Sequence, residues 1–433
     1  MNKYRLSALV AAGLVAGGLS AGSASAADLG GNCCADLEER IAELEATTAR
    51  KGNRKVSLTV SGWVGQQVMF WDDGRESNAY VTDLGSTLAS HVKFTGQATI
   101  LPGWTAGYVL HLEATGSDSL TTNQDRADGP NALTNTPNGV STLQSFWFLK
   151  SDQLGKVSVG KQSDAADNSA ILVDGSGSLV PANWVAFDVN SFGIRQKDGD
   201  LFGHWGGAYC QGGGGAWGDC AGVPRNTVRY DSPTFGGFSV SASWGEDDIW
   251  AVTTRYAGEW ADFKVAGVAS YFESTDEGIN FINNSTYRYF QAGAYVEHVP
   301  TGLFAYGAYG HGDYDVDAGS NETWYGKAGI RQRWNPLGHT VLYGEYENVK
   351  GSGIFSQSAI AGVAQDILND GGPQSGSTRD RTQVWGAGIV QEIDAAAMSM
   401  WIKYRHLDYE DNNTEGTRYD NFQYVGVGAL INY

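Results

Sequence analysis

Apolar and polar residues alternate over most of this chain, and that alternation narrows its possible folds more than any other feature. In KVSLTVSGWVGQQVMFW, Val56, Leu58, Val60, Gly62, Val64, Val68 and Phe70 share one parity, while Ser57, Thr59, Ser61, Trp63 and Gln67 share the other. HVKFTGQATI sets Val92, Phe94, Gly96, Ala98 and Ile100 against Lys93, Thr95, Gln97 and Thr99. MSMWIKYRH sets Met398, Met400, Ile402 and Tyr404 against Ser399, Trp401, Lys403 and Arg405. The chain ends with Val425, Val427, Ala429, Ile431 and Tyr433 on one parity. A period of two belongs to strands, because successive side chains leave a strand on opposite faces. After the N-terminus no apolar run reaches the roughly 18 residues a membrane-spanning helix needs.

Short connections alternate with long ones. LPG, SDQLG, SPTFGG, AGEW, VPTG, NPLG and EIDAA are short, whereas the stretches near 72–89, 116–141, 163–224, 272–286, 312–322, 348–381 and 409–420 are long. The segments between them predict sixteen strands, starting near 56, 90, 104, 142, 155, 225, 236, 249, 260, 287, 302, 323, 339, 382, 396 and 420. A soluble β-sandwich also alternates. Sixteen strands exceed one sandwich, however, and Trp104, Trp260, Trp334 and Tyr433 recur beside the short turns, where an interfacial aromatic girdle belongs. In hydrocarbon a sheet must close, since an open edge leaves backbone groups unpaired. The expected fold is all-β: a 16-stranded antiparallel transmembrane β-barrel with short periplasmic turns, long external loops and an N-terminal helical spacer.

The N-terminus reads as an address. Lys3 and Arg5 precede an apolar stretch from Leu6 to Leu19, and Ala24-Ser25-Ala26 forms an A-x-A cleavage site. The expected domains are a signal peptide at 1–26, a periplasmic spacer at 27–55 and the barrel at 56–433. Within the spacer, Leu37, Ile41 and Leu44 fall at helical spacing, a seam too short to be stable alone. Export implies an oxidising compartment. Cys210 and Cys220, which flank QGGGGAWGD, are candidates for a small disulfide-closed loop. Cys33 and Cys34 lie in the spacer, either as subunit cross-links or inert.

Other functions fit poorly. With 29 Lys+Arg against 48 Asp+Glu, the net charge of −19 disfavours binding to nucleic acid. None of the 7 His lies in a nucleophile or H-E-x-x-H motif. DYDVDAGSNE begins like a calcium loop, but Ala318 and Trp324 stand where that motif needs Gly and Glu. No enzyme activity, metal or cofactor is expected.

VSVGKQSD (157–164), RNTVRYDSPTFGGFSVSASWG (225–245), LEERIAELEATTARKGNRKVSLTVSGWV (37–64) and the terminal Tyr433 carry a family resemblance. The chain resembles Gram-negative general-diffusion porins, most closely the alphaproteobacterial outer-membrane porins. The resemblance implies a homotrimer in the cell outer membrane, in contact with lipid and lipopolysaccharide. It also implies a water-filled lumen narrowed by an inward-folding third loop, and a terminal aromatic read by the outer-membrane assembly machinery. One departure is that LVPANWVAFD (179–188) stands where the family has Pro-Glu-Phe-Gly.

The third loop, 163–224, is the longest connection, and its ILV, LV and WVAF runs can pack on a wall. Its candidate constriction acids are Asp167, Asp174 and Asp188. Inward parity offers Lys93, Arg229 and Arg405 as the leading wall bases, with His111, Lys327, Arg331 and Lys403 beside them. Loop acids facing wall bases would set a transverse field at the narrowest point, and the net charge favours cations by field alone. The expected function is passive diffusion of small hydrophilic solutes and ions. The alternatives are a substrate-selective channel, for instance for sugars, or a barrel acting mainly as an adhesin or cell-wall tether.

Overall fold

A computed structural model describes residues 55–131, 139–206, 224–246, 248–275, 286–314, 320–351, 379–412 and 416–433. The expected signal peptide, nearly all of the spacer, Cys33, Cys34, Cys210 and Cys220 lie outside the described residues.

Seventeen strands form one sheet. They are β1 (Thr59–Asp72), β2 (Ser77–Asp83), β3 (Ser90–Leu101), β4 (Trp104–Thr115), β5 (Gly139–Ser151), β6 (Gly155–Gln162), β9 (Arg225–Asp231), β10 (Phe238–Gly245), β11 (Ile249–Trp260), β12 (Phe263–Ser274), β13 (Tyr287–His298), β14 (Leu303–Tyr314), β15 (Ser320–Asn335), β16 (Gly338–Gly351), β17 (Asp380–Ile393), β18 (Met398–Asp411) and β19 (Phe422–Asn432). A separate two-stranded ribbon, β7 (Ile194–Arg195) and β8 (Leu201–Phe202), lies inside the long 163–224 connection. Every neighbour pairing in the large sheet is antiparallel, and β1 pairs with both β19 and β3. The sheet is therefore a closed barrel of sixteen staves, with β2 as an added short strand. Closure extends to the last residue: Gly62 and Tyr433 exchange two backbone hydrogen bonds of 3.1 Å.

Two local features differ from the sequence reading. The stretch 72–89, expected as loop, contains β2, which pairs with the outer half of β1 from Gln66↔Asp83 to Asp72↔Ser77. The inner half of β1 pairs with β3, from Thr59↔Thr95 to Trp63↔His91. β2 thus extends the wall where β3 stops. The β11–β12 turn sits at Ala261 and Asp262, both with positive φ, rather than at AGEW 257–260. Two consecutive left-handed residues make the tight turn whose twist suits a two-residue hairpin.

Parity sorts the barrel's two faces. Val60, Val64 and Phe70 of β1, Trp147 and Leu149 of β5, and Met400 and Ile402 of β18 are exposed on the outside. The intervening residues Gln67, Met69 and Trp71 of β1 and Trp401, Lys403 and Arg405 of β18 are buried inside. Barrel interiors are normally polar, but this one also contains an apolar core. Ile171, Trp184, Val185, Phe187 and Phe192 of the long connection pack with Met69, Trp71, Tyr343, Trp401 and Phe422 of the wall. Each fully buried aromatic of this kind contributes about 1.5–3 kcal/mol of transfer free energy.

Candidate functional site: the lumen wall and the loop that lines it

The described part of the 163–224 connection runs around the inside of the barrel, and its contacts step through the staves in chain order. The Ala165 amide donates to Ser243 Oγ of β10 at 2.9 Å, and Thr253 Oγ1 of β11 donates to the Ala165 carbonyl at 2.6 Å. Ser169 Oγ lies 2.5 Å from Ser270 Oγ of β12. Gln291 of β13 accepts from the Ala170 amide at 3.0 Å and donates to the Ala166 carbonyl at 2.8 Å. Tyr306 of β14 donates to the Ala170 carbonyl at 2.7 Å. The track continues through Lys327 of β15, Arg405 of β18 and Tyr424 of β19 to Gln67 of β1. It leaves at the external loops, where Gly193 N donates to Gln124 Oε1 at 3.0 Å and Arg195 meets Asp73 at 2.8 Å.

Small residues make this close approach possible. A Cβ at Gly293 of β13 would stand 2.4 Å from the Ala170 carbonyl oxygen. Gly85, at φ +91, faces the Phe187 ring, and a Cβ there would lie 2.7 Å from it. Only glycine adopts that φ without cost.

Charge fixes the middle of the track. Asp174 meets Lys327 Nζ at 2.5 Å, and both side chains are fully buried. The same ammonium donates to Ser178 Oγ at 2.9 Å and Asn183 Oδ1 at 2.7 Å, so all three of its protons are used. Asp188 lies on the short helix Val185–Val189. It accepts from Lys403 Nζ at 2.6 Å, Arg405 Nη1 at 3.2 Å, the Tyr424 hydroxyl at 2.7 Å and the Gln67 amide. Burial alone pushes the Asp188 carboxyl up, but Lys403, Arg405 and Tyr424 outweigh it and hold the group below its ordinary value. Arg405 also pairs with Glu345 at 2.7 Å and donates to the carbonyls of Pro181 and Ala182. Short helical turns leave such carbonyls without intrahelical partners, and a guanidinium satisfies two at once.

The sequence-predicted acids and bases of the lumen fall into separate contacts. Asp188 and Arg405 are in direct contact, while Asp174 pairs with Lys327. Docking the apolar loop brings the acids against the wall, and buried charges persist only when paired. Arg229 pairs with Asp231 at 2.8 Å and donates to the carbonyls of Ser163 and Asp164 at 3.1 and 3.0 Å, tying down the loop's root. Asp167 sits in that root, its amide donating to Asp164 Oδ1 at 3.0 Å. Lys93 lies apart, on β3. Sequence reasoning placed Lys327 and Lys403 on the inner wall but missed Glu345, Gln67 and Tyr424. Parity marks all three as inward; what it lacks is which stave the loop reaches.

A closed barrel with an apolar outer belt and a lumen lined by its own long loop defines an outer-membrane channel protein, a multi-pass β-barrel. The family model for Gram-negative porins matches residues 7–429, and the chain belongs to that family. No curated protein sequence matches it. Among solved structures, the anion-selective porin from Comamonas acidovorans aligns at a TM-score of 0.54 and 14% identity, covering 87% of this chain and 100% of that one. A high-pH structure of Pseudomonas putida OprB gives 0.54 at 13% identity, covering 92% and 97%. The outer membrane channel DcaP of Acinetobacter baumannii gives 0.50 at 9% identity, covering 89% and 100%. At such identities the likeness is one of fold.

Proposed function

We propose that this porin is a passive, water-filled channel for small hydrophilic solutes and ions, working as a homotrimer without cofactor or energy input. The observation that carries the reading is the loop's path. The hydrogen bonds described above run from β9 at Asp164 around to β1 and on to the β4–β5 connection at Gln124, and none of them is to β3, β4 or β6. In this reading the loop narrows the lumen, and the staves that none of these bonds reaches, β3, β4 and β6, border the path for passage. A 16-stranded barrel is wide enough to keep an aqueous path beside such a loop. The outer belt of apolar side chains suits lipid and a partner subunit, with lipopolysaccharide around the external ends. Tyr433, held in the β1–β19 seam, suits a terminal signal for the assembly machinery.

Single-channel recording in a planar bilayer tests the reading. Large, steady steps in potassium chloride, in groups of three, are expected. Correctly folded protein that stays silent would overturn it and favour a gated channel or a structural tether.

A further inference from the structure

Beyond Asn190 the long connection leaves the middle of the lumen and folds into the β7–β8 ribbon at the external end of the barrel. There it is fastened to three separate external connections. At the β1–β2 turn, Arg195 Nε and Nη2 donate to Asp73 Oδ2 at 3.1 and 2.8 Å, and Arg75 Nη2 donates to the Lys197 carbonyl at 2.8 Å. On the β4–β5 connection, Gln124 accepts from the Gly193 amide at 3.0 Å and donates to the Gly193 carbonyl at 2.9 Å. The β18–β19 connection pairs with the ribbon as a strand would. The Lys197 amide donates to the Arg418 carbonyl at 2.9 Å and the Asp420 amide to the Arg195 carbonyl at 2.7 Å, with Gln196 opposite Tyr419. Lys197 and Asp420 add an ion pair.

Asp73 is the hub of these attachments. Its carboxylate is 1% exposed and accepts from the amides of Arg75 and Glu76 at 3.0 and 2.8 Å, from Gln124 Nε2 at 3.2 Å and twice from Arg195. Charge-assisted bonds of this kind are the strong ones. The ribbon's apolar side is seated as well. Ile194 and Phe202 are buried, and the Phe202 ring lies 5.5 Å from Tyr419 and 6.2 Å from Tyr409. External loops are ordinarily the mobile part of a structure. Here three of them share one anchor, so they open or stay shut as one cooperative unit.

We propose that the ribbon is a clasp that makes the external mouth a second size filter, in series with the lumen beside the loop, and that Arg195 and Asp73 determine which solutes enter. The inference rests on the channel reading and deepens it. The ribbon takes up the mouth on the side of β18, β19 and β1, and solute enters through what remains. Passage depends on pore diameter and on the groups that line it, and at this level the diameter is set by a fastening rather than by the staves. A clasp held by the third loop itself also joins the mouth to the constriction, since Arg195 is only a few residues beyond Asp188 in the chain.

The test is polymer exclusion in a planar bilayer. Neutral polyethylene glycols of graded mass are added from the side of the long connections, and separately from the side of the short turns. A polymer that enters lowers the conductance, and one that is excluded does not. In the wild type the cut-off is expected at smaller polymers from the external side than from the periplasmic side. Arg195→Gln combined with Asp420→Asn removes both ion-paired attachments. It is expected to move the external cut-off to larger polymers and to leave the periplasmic one where it was. Lys197→Gln alone, at an exposed side chain, should move it part of the way. Arg333→Gln, at a periplasmic turn, serves as control and should not move the external cut-off. An external cut-off that is the same in wild type and double variant would overturn the filter while leaving the channel reading intact. Silence of the folded protein would count against the channel reading, and hydrogen exchange then decides on the clasp. The Gly193, Lys197 and Asp420 amides should lose protection together in the double variant while the staves keep theirs, and protection retained at all three would overturn it.

Discussion

Arg405 and Asp188 are 217 residues apart in sequence and meet at 3.2 Å inside the barrel. The contact joins a stave near the C-terminus to a loop that leaves the wall after β6. Glu345 on the far side of the guanidinium and Lys403 beside the carboxylate make it a chain of alternating charges. Its members are buried and mutually satisfied, so the loop has one docked position rather than a range of them.

Removing one member of a buried pair should cost more than removing both. Lys327→Met strands the Asp174 carboxylate and should destabilise the folded barrel by about 3–5 kcal/mol. Asp174→Leu combined with Lys327→Met should recover much of that loss. Denaturant unfolding in detergent, read as a double-mutant cycle, checks it; equal destabilisation by the single and double variants would refute the coupling.

Backbone clearance at β13 predicts a change in the channel itself. Gly293→Val places a side chain where the Ala170 carbonyl now lies. The loop's first turn should lift from the wall. Single-channel recordings should then show an altered step size with more open-state noise, while the barrel still migrates as a folded species on a gel.

Acid should release the loop late. Burial raises the Asp188 carboxyl, Lys403 and Arg405 lower it further than that, and the net result lies below the ordinary 3.8. A depressed folded value means that the unfolded chain binds the proton first. This group's stabilisation is therefore complete above the unfolded value and is lost as pH falls through the folded one. From this carboxylate, unfolding midpoints should be unchanged between about pH 7 and 5 and should drop only below about pH 4. Asp188→Asn should flatten that acid limb. A wild-type midpoint already falling at pH 6 would point to another group.

At the external mouth, Arg195 bridges Asp73, at 2.8 Å, and Glu76, at 3.0 Å. Asp73→Asn should loosen the β7–β8 ribbon without opening the barrel. Lys197 is exposed in that ribbon, so limited trypsin digestion should cut after it faster in the variant than in the wild type. Unchanged cleavage would mean that the neighbouring Lys197–Asp420 pair suffices to hold the ribbon.

The staves were largely legible because lipid and lumen impose a period of two that no loop imitates for long. Lys93, Arg229, Lys403 and Arg405 fall on the inner face, as their parity requires. The strand β2 was less legible, since SNAYVTD is short and follows a turn, and its pairing depends on β3 ending early. The loop's partners were legible only as a set of inward bases, not as pairs. Asp188 follows an apolar WVAF run that could dock on any greasy stretch of wall, and no local spacing links it to a tyrosine and two bases at the other end of the chain. Lys93 illustrates the converse: parity located it, yet only the ion pairs show that, among the described residues, it is the one buried Lys or Arg without such a partner.

The seam between Gly62 and Tyr433 has a consequence for how the molecule comes into being. A barrel whose first stave pairs with β19 is not closed until that strand is in place. Every earlier assembly is a curved ribbon with two raw edges, unfit for lipid. The longest-range pairing must form last, and such pairings are slow. Weakening the β1–β19 seam should therefore be felt first in whether the chain becomes a membrane protein, before any question of what passes through it arises.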